Sequence, residues 1–391
     1  MNDSTENRSD EHDGNVVSRP IARRTALKSA AAVLGASAFG LNFSPVSAAP
    51  QRLIQRDAFP VHHGQVGFVL SHEQFAVPDL LSLGYAAEAA GFDTVWTSDH
   101  FQPWMANQGH EGMAWVTLAA LGQRTQRIAF GTGVTCPTFR YDPAIVAQGF
   151  ATLGQLYPGR VFLGVGTGEA LNEQTGTGRW APWQERSDRL VEAVQLIREL
   201  WSGNTTNHQG QYYTVESARL YDLPSTPVPI FMAANGPKSA ARAGQYGDGW
   251  ITDVKSLLDP QMRAQFEAGA ALSGKDAAQI PILVESFVVV GGQREAEEAA
   301  AYWRFIPKSW KPYVNVHDPE RILHRAEVEI PLEDVYKDWP ISTDPDVHVQ
   351  ALVKLFDAGA TQVYVHSGQL DQARVIEFYG QYVLPRLRRQ M

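Results

Sequence analysis

The strongest constraint on this chain is a rhythm. From residue 64 onward, short β-rich apolar runs alternate with stretches whose apolar residues recur every three or four positions. Eight runs read as strands, at 65–70, 94–97, 127–131, 160–165, 229–233, 249–252, 282–290 and 361–366. Residues 78–91, 188–200 and 372–386 have helical spacing, and Gly91 is suited to ending the first of these helices. Runs that are apolar throughout belong in a parallel sheet covered by helices. Eight β/α repeats predict an α/β chain built as a single closed (β/α)8 TIM barrel, with insertions after strand four and near strand seven. An open dinucleotide-binding sheet fits less well, because no Gly-x-Gly-x-x-Gly opens a helix after the first strand.

The first 48 residues follow another pattern. Arg23 and Arg24 stand before a weakly apolar run at 29–41, and small residues around Ser47, Ala48 and Ala49 suit a signal peptidase. That order predicts a twin-arginine export signal over 1–48 and a barrel over 49–391. The translocation machinery is then a partner, and the destination is the cell envelope. The apolar run is too short to span a bilayer. A net charge of −9 without a clustered basic excess argues against nucleic-acid binding. The single cysteine, Cys136, excludes an intramolecular disulfide and a multi-cysteine metal site.

In such a barrel the chemistry gathers beyond the C-terminal ends of the strands. After strand one comes Glu73. After strand two comes Ser98-Asp99-His100-Phe101-Gln102-Pro103-Trp104, where an acid and an imidazole need a reason to sit beside a buried strand. A satisfied core histidine is the competing reading. Strand three leads into Gly133, Val134 and Cys136. Strand four runs into Gly166-Thr167-Gly168-Glu169-Ala170-Leu171-Asn172, whose glycines admit a flat ligand while Thr167, Glu169 and Asn172 offer polar groups. Glu169 has an alternative role as a cap of the following helix. After strand five, Asn235-Gly236-Pro237-Lys238-Ser239 opens a helix whose free amides suit an anionic group.

The stretches SHEQF, VWTSDHFQPW, GTGVTCPTFRYDPA, RVFLGVGTGEALNE and AANGP, in this order, resemble the luciferase-like barrels. Within them they are similar to the coenzyme F420-dependent dehydrogenases of the glucose-6-phosphate dehydrogenase type and their exported branch. The resemblance implies an 8-hydroxy-5-deazaflavin cofactor, coenzyme F420, and hydride transfer without a metal. It implies that Asp99 binds the cofactor and that His100 is the acid/base group facing the substrate hydroxyl. Trp104 and Glu73 would shape the same site, and Glu169 would manage the proton at the ring's N1 side. Cofactor contacts would come from Gly133, Val134, Cys136, Thr167, Gly168, Asn172, Asn235, Gly236, Lys238 and Ser239, with a cis peptide at Gly133–Val134. Members of the family often form homodimers.

Departures from the resemblance bear on the substrate. Asp253 stands where the sugar-phosphate enzymes carry a neutral hydroxyl, and Asp338 where they carry an arginine. A phosphate facing an aspartate is repelled. Together with the aromatic stretch 301–310 and Trp180 and Trp183, this favours a small-molecule or lipid alcohol, a hydroxylated envelope lipid above all. An F420-dependent sugar or sugar-phosphate dehydrogenase, a flavin monooxygenase and an exported non-catalytic carrier of the deazaflavin are the alternatives.

Overall fold

The computed structural model describes residues 58–308 and 312–391. The export signal expected over 1–48 and Trp310 lie outside the described residues. All eight expected strands form: Gln65–Leu70, Thr94–Thr97, Ala129–Thr132, Val161–Val165, Ile230–Ala233, Gly249–Asp253, Ile282–Phe287 and Gln362–His366. They close into one barrel in chain order, every neighbouring pair parallel, and the eighth pairs back on the first with Gln65 opposite Gln362.

The continuous apolarity of these strands reflects two separate burials. Phe68, Val95, Phe130, Leu163, Val284 and Val365 point outward beneath the helices. Val69, Trp96, Phe162, Phe231, Ile251, Leu283 and Tyr364 point inward and fill the barrel. Tyr364 lies flat on Trp96, ring centres 3.7 Å apart and 11° from parallel. At Gly164 the strands come so close that a β-carbon would stand 1.9 Å from the Thr132 carbonyl oxygen.

The helix expected over 78–91 spans Val77–Ala90 and ends at Gly91 in the left-handed region, φ 93°. The one expected over 188–200 spans Trp183–Trp201. The single helix expected over 372–386 is instead Gln372–Phe378, a π-helical turn Tyr379–Val383, and Leu384–Gln390. Pro385, which has no N–H for the helical ladder, is the second residue beyond the π turn. The run 282–290 also divides: Ile282–Phe287 stays in the barrel, whereas Val289–Val290 leaves it to pair in parallel with Ile341–Ser342.

Two inserts interrupt the β/α repeat. After strand four, an antiparallel hairpin of Thr206–Gln209 and Thr214–Ala218 follows the long helix. After strand seven, helices Gln293–Tyr302, Pro319–Glu329 and Leu332–Tyr336 gather around a small core of their own, which includes Trp303, Phe305, Tyr313, Ile322 and Val335. Trp104 and Leu171 from the barrel loops join that core, so it roofs the C-terminal mouth. Among the described residues no helix is long and apolar enough to cross a membrane.

Candidate active site

A cleft of about 1150 Å³ opens between the strand C-termini and the second insert. Its floor is apolar and comes from the barrel interior: Val69, Trp96, Val134, Ala233 and Ile251. Around that floor stand Glu73, His100, Glu169, Asn235 and Glu285, and Trp104, Phe287, Trp303 and Phe305 form an aromatic wall. The peptide between Gly133 and Val134 is cis, and both residues line the cleft.

Asp99 and His100 are adjacent and differently employed. Asp99 is 1 % exposed. Its Oδ1 accepts from Arg140 at 3.0 Å and from the Tyr141 hydroxyl at 3.1 Å; its Oδ2 accepts from the Trp115 indole at 3.0 Å and from Thr135 at 2.6 Å. Four protein donors occupy the carboxylate, which lies behind the cleft wall and fixes the loop. His100 lines the cleft with its side chain 10 % exposed. Its Nδ1 lies 3.3 Å from Glu73 Oε1 and 3.9 Å from Glu111 Oε2 but has no hydrogen bond of good geometry. Burial, then the nearby positive charge of Arg140 and His72, pulls the imidazole down to about 3, so it is neutral at physiological pH.

Glu73 is held by Ser98, whose hydroxyl donates to Oε2 at 2.7 Å, and burial raises its carboxyl above the ordinary range. Glu169 also lines the cleft, is 8 % exposed and accepts from the Asn172 amide at 3.0 Å. Burial raises its carboxyl too, against the pull of Asn172 and of Arg186 and Arg140. It stands at the N-cap of helix Ala170–Thr177 without making a side-chain cap, so the capping alternative is not what holds it. Asn172 also accepts the Phe101 N–H at 2.8 Å, and thereby joins the Glu169 loop to the His100 loop.

The remaining expected residues divide between cleft and support. Trp104 lines the cleft, stacked on Phe305 at 4.5 Å, and its ring centre lies 6.0 Å from that of His100 in an edge-to-face arrangement. Gly236 caps the helix Pro237–Tyr246, with Ser239 donating to its carbonyl at 2.8 Å and Lys238 exposed. Asn235 lines the cleft and accepts from Thr252 at 2.9 Å. Cys136 is a buried free thiol whose burial raises its pKa. Gly168 adopts φ 77°, and both its carbonyl and that of Thr167 receive the buried Arg186 guanidinium. Of the expected cofactor contacts, the structure brings Gly133, Val134 and Asn235 to the cleft surface; Asp99, Cys136, Thr167, Gly168 and Asn172 stand behind it.

Several residues escaped the sequence reading. Arg140 is the counter-ion of Asp99, and Arg186 clamps the Thr167–Gly168 turn while stacking on Trp180 at 4.0 Å. His366, at the end of strand eight, links the Ser71 hydroxyl at 2.8 Å to Glu285 at 2.7 Å. Glu111 stands 3.7 Å from His72 and 3.9 Å from His100, its side chain 4 % exposed, with neither oxygen making a hydrogen bond of good geometry. Burial and the charges of Glu73 and Asp99 push it up to about 10. The one signal for any of these was that a buried Asp99 requires a cation from elsewhere in the chain.

Residues 61–353 match the family model described as luciferase-like monooxygenase. The F420-dependent hydroxymycolic acid dehydrogenase of Mycobacterium tuberculosis is 48 % identical over 323 residues, covering 83 % of this chain and 88 % of the relative. The F420-dependent glucose-6-phosphate dehydrogenase of Microbacterium testaceum is 40 % identical over 330 residues, covering 83 % and 97 %. Among solved structures, an F420-dependent secondary alcohol dehydrogenase in complex with an F420-acetone adduct superposes with a TM-score of 0.78 at 34 % identity, covering 83 % of this chain and 99 % of that one. The coenzyme F420-dependent tetrahydromethanopterin reductase of Methanopyrus kandleri, at 23 % identity and TM-score 0.66, shares the fold. The chain belongs to the luciferase-like monooxygenase family, among relatives named as F420-dependent dehydrogenases.

Proposed function

We propose that this chain is a coenzyme F420-dependent dehydrogenase that oxidises a secondary alcohol, and that the alcohol is a hydroxylated envelope lipid of the hydroxymycolic acid class. The observation that carries the reading is that one cleft with an apolar floor is lined both by a neutral His100 beside Glu73 and by a protonatable Glu169 from a different loop. A flat floor ringed by separated acid and base groups fits a planar tricyclic ring. Gly133, Val134 and Asn235 would hold that ring, and the open helix start at Gly236, with Lys238 and Ser239, suits the anionic tail. When bound, the deazaflavin takes up or releases a hydride at C5 of its ring.

The chain's own groups manage the protons. His100, neutral because it is buried, accepts the hydroxyl proton as the carbonyl forms. Glu73, 3.3 Å away, stabilises the resulting imidazolium. Glu169, its carboxyl raised by burial, would hold a proton at the ring's N1 side, where negative charge develops on reduction. Asp99 keeps the loop in place from behind.

Charge at the cleft's outer half supports a lipid over a sugar phosphate. Lys255, Lys308, Lys337 and Lys354 share that surface with Asp253, Glu285, Glu329, Asp334 and Asp338. Two of the lysines are already engaged, Lys308 by Glu329 at 3.8 Å and Lys337 by Asp334 at 3.2 Å. Asp253 caps its own helix by accepting from the Ser256 N–H. A dianion meets more carboxylates than free ammonium groups there, whereas Trp339 and Phe287, stacked at 4.9 Å, favour hydrocarbon. Glucose 6-phosphate is the second reading, on the strength of Lys255 and Lys354 at the rim.

Mixing the purified protein with oxidised coenzyme F420 should give binding, and adding a secondary lipid alcohol should bleach the cofactor's visible band. Bleaching by glucose 6-phosphate alone would favour the second reading. Binding without bleaching by any alcohol would favour a carrier, and absence of binding would overturn both dehydrogenase readings. The arginine pair supports export in the folded, loaded state. Replacing Arg23 and Arg24 by lysine should leave the protein in the cytoplasm, as fractionation would report.

A further inference from the structure

The mechanism above uses one carboxylate beside His100, yet two are present. Glu111 comes from the segment ahead of helix Ala114–Arg124 and brings its carboxylate to within 3.9 Å of the same imidazole. It is not among the groups lining the cleft. Its side chain and that of Glu73 are 4 % and 3 % exposed, and one ligand atom from each of Glu73, His100 and Glu111 falls in a cluster with no separation above 4.8 Å. Three of the polar atoms in this cluster, both Glu111 oxygens and His100 Nδ1, are buried and make no hydrogen bond of good geometry. Buried polar atoms without partners are rare and call for an explanation. The neighbouring side chains supply none: His72 spends Nδ1 on the Ser98 carbonyl and Nε2 on the Thr117 hydroxyl, and Ser98 spends its hydroxyl on Glu73; the one donor turned toward Glu111 is the main-chain N–H of His100.

We propose that Glu73, His100 and Glu111 bind a divalent transition-metal ion of the zinc class, and that the bound ion switches His100 off as a base. One imidazole nitrogen and two carboxylate oxygens form a borderline-to-hard donor set of the kind that takes zinc at three protein positions with a fourth left open. Metal–ligand bonds of about 2.0–2.2 Å in tetrahedral geometry put ligand atoms roughly 3.4 Å apart, so the widest pair would draw together by up to about 1.4 Å. The cleft gives access, because His100 and Glu73 both line it. The ion would also supply the partners that Glu111 and His100 Nδ1 lack.

The inhibition follows from the tautomer. A neutral imidazole that gives its Nδ1 lone pair to a metal keeps its one proton on Nε2, and has no lone pair left for a substrate proton. This half of the proposal rests on the reading of His100 as the base; the binding half does not.

The test uses the full chain, stripped with EDTA and titrated with zinc chloride against a chromophoric chelator. We expect one tight equivalent in the wild type and at least a tenfold weaker site in Glu111→Gln. X-ray absorption of the zinc-loaded wild type, which needs no variant, should show imidazole scattering with oxygen neighbours. Equal affinity in Glu111→Gln, sulfur in the zinc shell, or binding no tighter than to exposed histidines would overturn the site. In the loaded dehydrogenase assay, zinc should inhibit the wild type and spare Glu111→Gln. Tight zinc binding at this site with unimpaired alcohol oxidation would leave the site standing and overturn the role of His100.

Discussion

Asp99 and His100 are neighbours in sequence and face opposite regimes. Behind the loop, Asp99 meets Arg140, Tyr141, Trp115 and Thr135, and each of its oxygens is hydrogen-bonded twice. In front, His100, Glu73 and Glu111 crowd together, with three buried polar atoms unpaired. A fully satisfied buried network makes the backbone rigid; an incompletely satisfied one stores reactivity. The contrast shows how one loop can hold a titratable group in an unfavourable setting: the rear supplies the stability that the front gives up.

Removing the rear anchor should have the largest effect. Asp99→Ala leaves Arg140 buried without its counter-ion and should cost about 3–5 kcal/mol in denaturant unfolding; a loss below about 1 kcal/mol would erase the contrast. His100→Ala should do the reverse, lowering turnover about 100- to 10,000-fold while stability and cofactor binding hold. Unchanged turnover would remove His100 from the chemistry.

Glu111→Gln sharpens the comparison through pH. The Glu111 carboxyl is raised from the ordinary 4.5 to about 10, so the folded chain keeps a proton there that the unfolded chain releases. The stabilisation tied to that proton is present in full below pH 4.5 and is lost as pH rises toward 10. The variant lacks this slope. Its stability relative to wild type should therefore climb between pH 5 and 9, by at most about 1.4 kcal/mol per pH unit, in thermal melts with EDTA present. A flat difference would mean that Glu111 is ionised in the folded protein. The smallest effect belongs to Tyr141→Phe, which removes one of four donors to Asp99 and should cost about 1 kcal/mol.

The barrel was legible because each strand is short, apolar on both faces and set off by helical spacing. Inserts were legible only as gaps in that rhythm. The hairpin at Thr206–Gln209 and Thr214–Ala218 is polar and half exposed, so it carries no apolar pattern to read. Val289 looked like more of strand seven because a two-residue excursion has no period. Within the site, the residues at strand ends were found by position, and their grouping into cleft and support was not. Asp99 and Arg140 are 41 residues apart, and a lone arginine in a loop reads as solvated until the fold puts an acid beside it. Glu111 was missed for the same reason: in sequence it is one more charge in a polar stretch.

The second insert has a core of its own, in which Trp303, Phe305, Tyr313 and Ile322 pack with Trp104, Met105 and Leu171 from the segments after strands two and four and against Phe287 at the end of strand seven. The acid and base loops are tied to each other through Asn172, and the insert meets the barrel through hydrogen bonds of Trp303 to Gln74 and of Asn107 and Gln108 to the Ala301 and Tyr302 carbonyls. Selection for a new alcohol thus has a replaceable roof to work on while the proton machinery beneath it stays fixed. A graft of residues 293–339 between relatives should exchange substrate preference and leave the reaction intact.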